Sequence, residues 1–193
     1  SKAILLEEGK VTKSGDTSKI VLSYFDRIAK KSKKKHSVIG DTSCRLVEAK
    51  ITDKNKEKII SPLLTDEVHI VMTYEILQKT ADRYVPNFHV HTAEGQYVCC
   101  VSAPDIKPMK PGHYQATCIF PPYLLNEGAY YIGVAVTSHP LDEQRYTIIF
   151  WEKEILSFNI VDPKIPTLSN YGYVGKVPGV IRPRLTWQIK EVK

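Results

Sequence analysis

The chain has 193 residues, of which 42% are hydrophobic and 25% charged. These values indicate one folded domain, with or without an appendage, and exclude wholesale disorder. No stretch approaches 18 consecutive apolar residues and the run at residues 4–6 is too short for a signal sequence, so neither a transmembrane helix nor a secretory leader is expected. The net charge of +6 suggests a nucleic-acid or membrane partner unless it is confined to one segment.

The charge is confined to the first residues. Residues 1–36 hold ten Lys or Arg and four Asp or Glu, a net +6, which leaves residues 37–193 neutral. A basic interaction segment around residues 30–35 stays open as an alternative. A solvated linker is the simpler interpretation, and no nucleic-acid partner is expected.

Residues 3–28 predict a short hairpin followed by a helix. A strand at residues 4–6, a turn at Gly9 and a second strand from Val11 precede a capping signal at residues 16–17. Apolar residues then recur at helical spacing: Ile20, Val21, Tyr24 and Ile28. Because so small a unit cannot bury a core, we expect the end of a larger domain that contributes little to the rest of the chain.

From Cys44 the apolar residues alternate, which predicts strands. About seven strands separated by Gly, Pro and Asp turns fall near residues 44–51, 68–76, 88–91, 97–101, 114–120, 130–136 and 155–160. This pattern favours an all-β fold, an immunoglobulin-like antiparallel β-sandwich. Three segments follow: a leader (residues 1–40), the sandwich (residues 41–162) and a C-terminal tail (residues 163–193).

The tail contains apolar residues that need a partner surface, either on this domain or on a second copy. They are Val180, Ile181, Leu185 and Trp187. We expect residues 170–193 to hold a dimer together through these side chains.

The four cysteines predict neither disulfides nor a zinc site. Adjacent Cys99 and Cys100 would point to opposite faces of a strand, and no CxxC pair occurs. Reduced thiols in a cytosolic protein are the simplest interpretation.

Motifs of catalysis are also missing: the sequence has no Walker A pattern, GxGxxG, GxSxG or HExxH. His89 and His91 form an HxH pair of the kind that cupin-type metal enzymes use. The carboxylate and glycine that should accompany it are replaced by Glu94 at the wrong spacing and by Arg83. A metal site is therefore an alternative, and catalytic residues are not assigned.

The residue types favour carbohydrate binding instead. Sugars are bound on shallow surfaces by aromatic rings and by planar hydrogen-bonding side chains. Alternation along the strand after Gly128 turns Tyr131, Gly133 and Ala135 outward, and the two small residues could form the floor of a trough. The candidate glycan-binding residues on this face are His89, His91, Tyr97, Tyr131, Gly133, Ala135 and Asn159. The loop at residues 138–153 would place Arg145, Tyr146 and Trp151 at the rim.

Two resemblances to known families cover nearly all of the chain. Residues 3–28 resemble the last part of an ABC-transporter ATPase domain. The remainder resembles the carbohydrate-binding C-terminal domain of Wzt-type ATPase subunits, which serve ABC exporters of lipopolysaccharide O-antigen. The residues that carry this second resemblance are GHYQATCIFPPYLLNEGAYYIGVAV at 112–136, LSFNIVD at 156–162 and PGVIRPRLTW at 178–187.

The resemblance implies a non-enzymatic module that recognises the capped non-reducing end of an O-antigen polysaccharide before export. It also implies a homodimer with an exchanged C-terminal strand. The implied partners are the polysaccharide, the ATPase domain of the same protein and the membrane subunit, at the cytoplasmic face of the bacterial inner membrane. No cofactor is expected, because ATP and Mg would belong to the ATPase domain, whose motifs are not in this sequence.

Two alternatives remain at this stage. One is a metal-dependent, cupin-like enzyme that uses His89 and His91; the other is a dimerisation module without a ligand. The sequence does not identify the sugar, its linkage or its cap.

Overall fold

The computed structural model describes residues 2–16, 20, 23–24, 27, 38–104, 107, 109–140, 145–168, 173, 175 and 177–191. Its strands are β1 (Lys2–Glu7), β2 (Lys10–Asp16), β3 (Cys44–Thr52), β4 (Val68–Ile76), β5 (Arg83–Thr92), β6 (Tyr97–Ser102), β7 (Gly112–Phe120), β8 (Gly128–His139) and β9 (Thr147–Ile160). Within these residues, no helix has the length and apolar character needed to cross a membrane.

Strands β3 to β9 form the predicted sandwich. One sheet has the order β3-β4-β7 and the other β6-β5-β8-β9, with every neighbouring pair antiparallel. The chain crosses from one sheet to the other at three connections, β4 to β5, β6 to β7 and β7 to β8, as in immunoglobulin-like sandwiches. The predicted fold class is therefore confirmed, while β1 and β2 form a separate hairpin.

The core lies between the two sheets and follows from the period-two pattern. In β4 every second residue from Val68 to Ile76 is buried and those between face outward. The largest fully buried side chains come from both sheets: Tyr74, Phe158, Leu64, Ile70, Met72, Ile76 and Ile132. Burial of this apolar surface is the main source of stability.

Strand β9 is longer than predicted, because it begins at Thr147 inside the stretch that the sequence assigned to a loop. Its pairing with β8 shifts register between Ile132 and Val134, and Glu154 has a left-handed φ of 55°. Three residues of β9, at positions 153–155, thus lie in a bulge opposite a single residue of β8. Hydrophobic alternation in the sequence does not indicate where a bulge lies, so it predicts only the second half of β9.

The first part of the tail docks on its own domain. The Asn126 side-chain amide donates to the carbonyls of Val177 and Gly179 at 2.8 and 2.7 Å, and the Tyr130 hydroxyl donates to the Val180 carbonyl at 2.9 Å. Arg182 then forms a buried ion pair with Asp162, with Nη1 and Oδ2 2.7 Å apart. Because an isolated buried charge is costly, this pair fixes the tail firmly at Arg182.

Arg184 makes the last described contact of the tail with the domain, since its guanidinium lies 3.5 Å from the Tyr123 ring centroid and donates to the Leu168 carbonyl at 2.9 Å. Leu185, Trp187 and Ile189 alternate in sequence and are 65%, 80% and 93% exposed. The predicted C-terminal strand is absent from the part of the tail that the structure describes, where only an isolated bridge joins Leu125 to Ile181. A strand requires an edge to pair with, and this copy of the chain offers none to residues 185–189.

The predicted helix of the leader falls mostly outside the described residues. The described Tyr24, however, shares a side-chain hydrogen bond with Tyr131 of β8, and Ile20 is buried. Arg27 forms an ion pair with Glu7 of β1. The expectation that the leader contributes little to the sandwich is therefore wrong. The concentration of charge in the leader indicates that the segment is solvated, but it does not reveal that a single tyrosine packs against β8.

We expect Tyr24→Ala to lower the thermal midpoint of the protein by a few degrees. Loss of one hydrogen bond and of partial ring contact removes about 1 kcal/mol, which corresponds to roughly 2–4 °C for a chain of this size. Differential scanning calorimetry of Tyr24→Ala beside Tyr173→Ala, another exposed tyrosine, measures the difference. Equal midpoints for wild type and Tyr24→Ala would contradict the contact.

Candidate functional site

The two outer sheet faces differ in chemistry. The face of the β3-β4-β7 sheet carries charged pairs, such as Arg45 with Glu75 at 2.6 Å and His69 with Glu67 at 2.5 Å. The face of the β6-β5-β8-β9 sheet carries aromatic rings and histidines. Paired surface charges are typical of a solvated face, whereas exposed aromatic rings are typical of a binding face.

Strand pairing brings most of the predicted residues to this second face. In the β5–β8 register His89 lies opposite Gly133 and His91 opposite Tyr131. Trp151 of β9 lies opposite Ala135. Trp151 therefore belongs to the sheet itself and not to a rim loop, because β9 begins earlier than the sequence indicated.

Four side chains form an aromatic cluster: His89, His91, Tyr97 and Trp151. The ring centroids of His89 and Trp151 are 4.9 Å apart with a tilt of 30°. The Tyr97 ring meets His91 edge-on at 4.4 Å and His89 edge-on at 6.0 Å. Edge-to-face contacts of this kind fix ring orientation, so the cluster presents a preformed aromatic surface.

Hydrogen bonds hold His89 in a single orientation. Its Nδ1 is 2.5 Å from the Tyr97 hydroxyl and its Nε2 is 2.9 Å from Asn87 Oδ1. Because the amide oxygen can only accept, Nε2 donates to Asn87 and Nδ1 accepts from Tyr97. Burial, and then the proximity of His91, lowers the pKa of His89, which favours this neutral state.

A bulge in β6 determines which cysteine joins the face. The β5–β6 register shifts between Val90 and His91, so Cys99 pairs with Val90 toward the core and Cys100 pairs with His89. Cys100 Sγ is 4.0 Å from His89 Nε2. Burial, followed by contact with Cys100, raises the pKa of Tyr97 to about 12, so its hydroxyl stays protonated and keeps donating to His89 Nδ1.

Gly133 does not form the floor of an open trough. A Cβ added there would lie 3.1 Å from the Glu152 carbonyl oxygen and 3.5 Å from the His89 Cβ. Glycine suits this position because the β9 bulge passes directly over it. A larger side chain would force the Glu152 carbonyl to move, so Gly133 is a spacer between two strands and not the floor of a trough.

Two other predicted residues lie on the face but are covered. Ala135 is buried, and Tyr131 is only 7% exposed because Tyr24 of the leader packs against it. Burial, and then the contact with Tyr24, raises the pKa of Tyr131. The accessible surface therefore consists of the aromatic cluster, while the Tyr131 end of the face is closed by the chain itself.

Asn159 and Arg145 lie away from the cluster, at opposite ends of the face. Asn159 pairs with Ala129, six residues along β8 from Ala135, or about 20 Å at the rise of a strand. Arg145 is exposed just before β9. Asn159 is thus on the predicted face but beyond the closed end.

The structure adds residues that the sequence analysis missed or left unassigned. Lys153 Nζ lies 4.8 Å from the Trp151 ring centroid, a cation–π contact. A second aromatic contact, the distal pair, stacks His139 on Tyr146 with centroids 5.6 Å apart and an interplanar angle of 22°. Continued alternation along β5 and β8 would have revealed Asn87 and His139, whereas the position of Lys153 depends on the bulge.

The His89–His91 pair gains no third ligand. Among the residues that the structure describes, no three His, Cys, Asp or Glu side chains converge as a metal site requires. The geometry of this face instead allows a ligand to contact apolar ring faces and to form hydrogen bonds with imidazole and phenol groups.

Comparisons with known proteins place this fold. The family model described as the Wzt C-terminal domain matches residues 35–175. The crystal structure of the C-terminal domain of Wzt superposes with a TM-score of 0.60 at 12% identity, covering 78% of this chain and 86% of that one. No curated protein matches the sequence. Because the family model spans well over half of the chain, the protein belongs to the Wzt C-terminal domain family.

Proposed function

We propose that this chain is a carbohydrate-binding module of an ABC exporter, with no catalytic activity of its own. Its ligand is an O-antigen polysaccharide, recognised at the capped non-reducing end before export. The observation that carries the proposal is the exposed Trp151 ring fixed beside His89 and framed by Tyr97. A flat ring with polar groups at its edge matches a pyranose, which has C–H faces and equatorial hydroxyls.

The proposed setting follows from the family. The ATPase domain of the same protein and the membrane subunit would be its partners, at the cytoplasmic face of the inner membrane. Weak binding suits this role, because the module must release its polymer to the channel. Each sugar hydrogen bond contributes only about 1 kcal/mol net, so an affinity in roughly the micromolar to millimolar range is expected.

Binding is tested on an array of purified bacterial O-polysaccharides, followed by titration of the best binder. We expect Trp151→Ala to weaken binding by roughly three- to tenfold, because the ring contact is lost. Ile119→Ala serves as the control, since Ile119 is also exposed, on the outer face of the other sheet. Trp151→Ala protein that binds as well as wild type would place the site elsewhere.

Fluorescence gives a second readout of the same site. The chain has two tryptophans, Trp151 and Trp187. In Trp187→Phe protein the emission comes from Trp151 alone, so a saturable change on addition of the polysaccharide reports contact at the aromatic cluster.

We expect acidification to destabilise the protein through His89. Its pKa is lowered from the ordinary value of 6.5, so the folded protein binds this proton less readily than the unfolded chain. The free energy of unfolding should then fall as the pH drops below about 6.5, where the unfolded chain takes up the proton first. An NMR titration should give His89 an apparent pKa below 6.5, and His91→Gln should raise it by removing the electrostatic contribution of His91. A value for His89 at or above 6.5 would disprove this.

The proposal includes a homodimer held by the end of the tail. Leu185, Trp187 and Ile189 present a regular apolar strand face that this copy does not cover, and pairing with a second copy would bury it.

Deleting residues 185–193 should convert the dimer to a monomer without unfolding it. The segment that docks on this domain ends at Arg184, whose guanidinium lies 3.5 Å from the Tyr123 ring centroid, so the thermal midpoint extrapolated to low protein concentration should stay near that of wild type. Multi-angle light scattering measures the mass. A shortened chain that remains a dimer would show that another surface holds the two copies together.

A further inference from the structure

We propose that the binding face continues past the aromatic cluster to the distal pair, so that the bound ligand is an extended oligosaccharide of several sugars. This inference rests on the proposed carbohydrate-binding function and deepens it. It assigns His139 and Tyr146 to a second subsite on the same sheet face. The ligand would then be recognised along a stretch of chain and not by its terminal sugar alone.

The distal pair has the construction of a binding surface. Tyr146 is 61% exposed, yet its ring is held flat against His139. His139 is in turn fixed by Thr137, whose Oγ1 lies 2.9 Å from His139 Nε2. A stacked and accessible ring with a fixed imidazole beside it repeats the chemistry of Trp151 and His89.

The surface between the two subsites is continuous. Ala135, opposite Trp151, and His139 are four residues apart on β8, or about 13 Å at the rise of a strand. Thr137 and Ile148 pair across β8 and β9 in the interval, and Ile148 is half-exposed. A single pyranose cannot contact both ring surfaces, whereas a short oligosaccharide lying along β8 can.

The direction of the ligand follows from the other end of the face. Tyr24 covers Tyr131 there, and the buried Tyr131 ring offers little surface to a ligand. A chain that starts at the aromatic cluster can therefore extend along the sheet toward Tyr146. Arg145, exposed beside Tyr146, would meet the sugars that follow and would add a charge-assisted contact if these are acidic.

The test is a series of oligosaccharides of increasing length, prepared by partial hydrolysis of the polysaccharide that binds best on the array. Isothermal titration should show affinity rising by roughly three- to tenfold once fragments span both subsites, and then levelling off. Binding that does not depend on length would overturn the extended site while leaving the proposed function intact. Absence of binding at every length would overturn both.

Matched variants locate the second subsite. Tyr146→Ala should abolish the gain with length and leave the affinity for the shortest fragments unchanged, whereas Tyr146→Phe should retain the gain because the ring remains. Tyr173→Ala removes a similarly exposed tyrosine of the tail, 55% against 61%, and should behave as wild type. The proposal fails if Tyr146→Ala keeps the full gain in affinity with oligosaccharide length. It also fails if Tyr146→Ala changes only the dimer mass in light scattering, a result that would assign the distal pair to contact with a second copy of the chain.

Discussion

The close approach of two backbones at Gly133 determines the shape of the candidate site. With no Cβ at this position, the Glu152 carbonyl lies over β8 at a distance that a side chain would occupy. The β9 bulge can therefore sit above His89 without breaking the sheet, and Glu154 takes the left-handed conformation that closes it. Just before the bulge, regular pairing of β9 with β8 places Trp151 on the outward side, and Lys153 at the start of the bulge lies above its ring. Gly133 thus acts through the backbone of β9, as a spacer that positions the Trp151 ring opposite Ala135, two residues further along β8.

Period-two alternation was enough to predict the sandwich, because the strands of both sheets turn every second side chain toward the core. The same alternation placed His89, His91 and Tyr131 on one face, since β5 and β8 pair without a register shift over this stretch. It failed where pairing shifts register. The β5–β6 shift exchanges Cys99 for Cys100, and the β9 bulge moves Trp151 from a presumed loop into the sheet. Register shifts depend on contacts between distant strands, which a single sequence does not display.

The tail and the leader, which lie outside the sandwich, show the same limit of prediction from a single sequence. Composition identified the tail as too apolar for solvent, yet its polar contacts carry the docking: Asn126, Tyr130 and the Arg182–Asp162 pair. In the leader, Tyr24 belongs to a predicted apolar stripe, but nothing local indicated that its hydroxyl would meet Tyr131. In both cases the decisive partner lies twenty or more residues away along the chain. Composition shows that an apolar segment needs a surface to pack against, and only the fold shows which surface that is.

The anchor at Arg182 has a consequence for how readily two copies can associate. A flexible arm loses conformational entropy when it is captured, and the loss grows with the number of residues that become ordered. Here residues 177–184 are already held by the chain's own domain, so in the proposed dimer only the short stretch beyond them would have to be ordered on capture. The origin of the arm is also fixed relative to the sandwich, which would restrict the positions that a second copy can take. In that dimer the buried ion pair would lower the entropic cost of association.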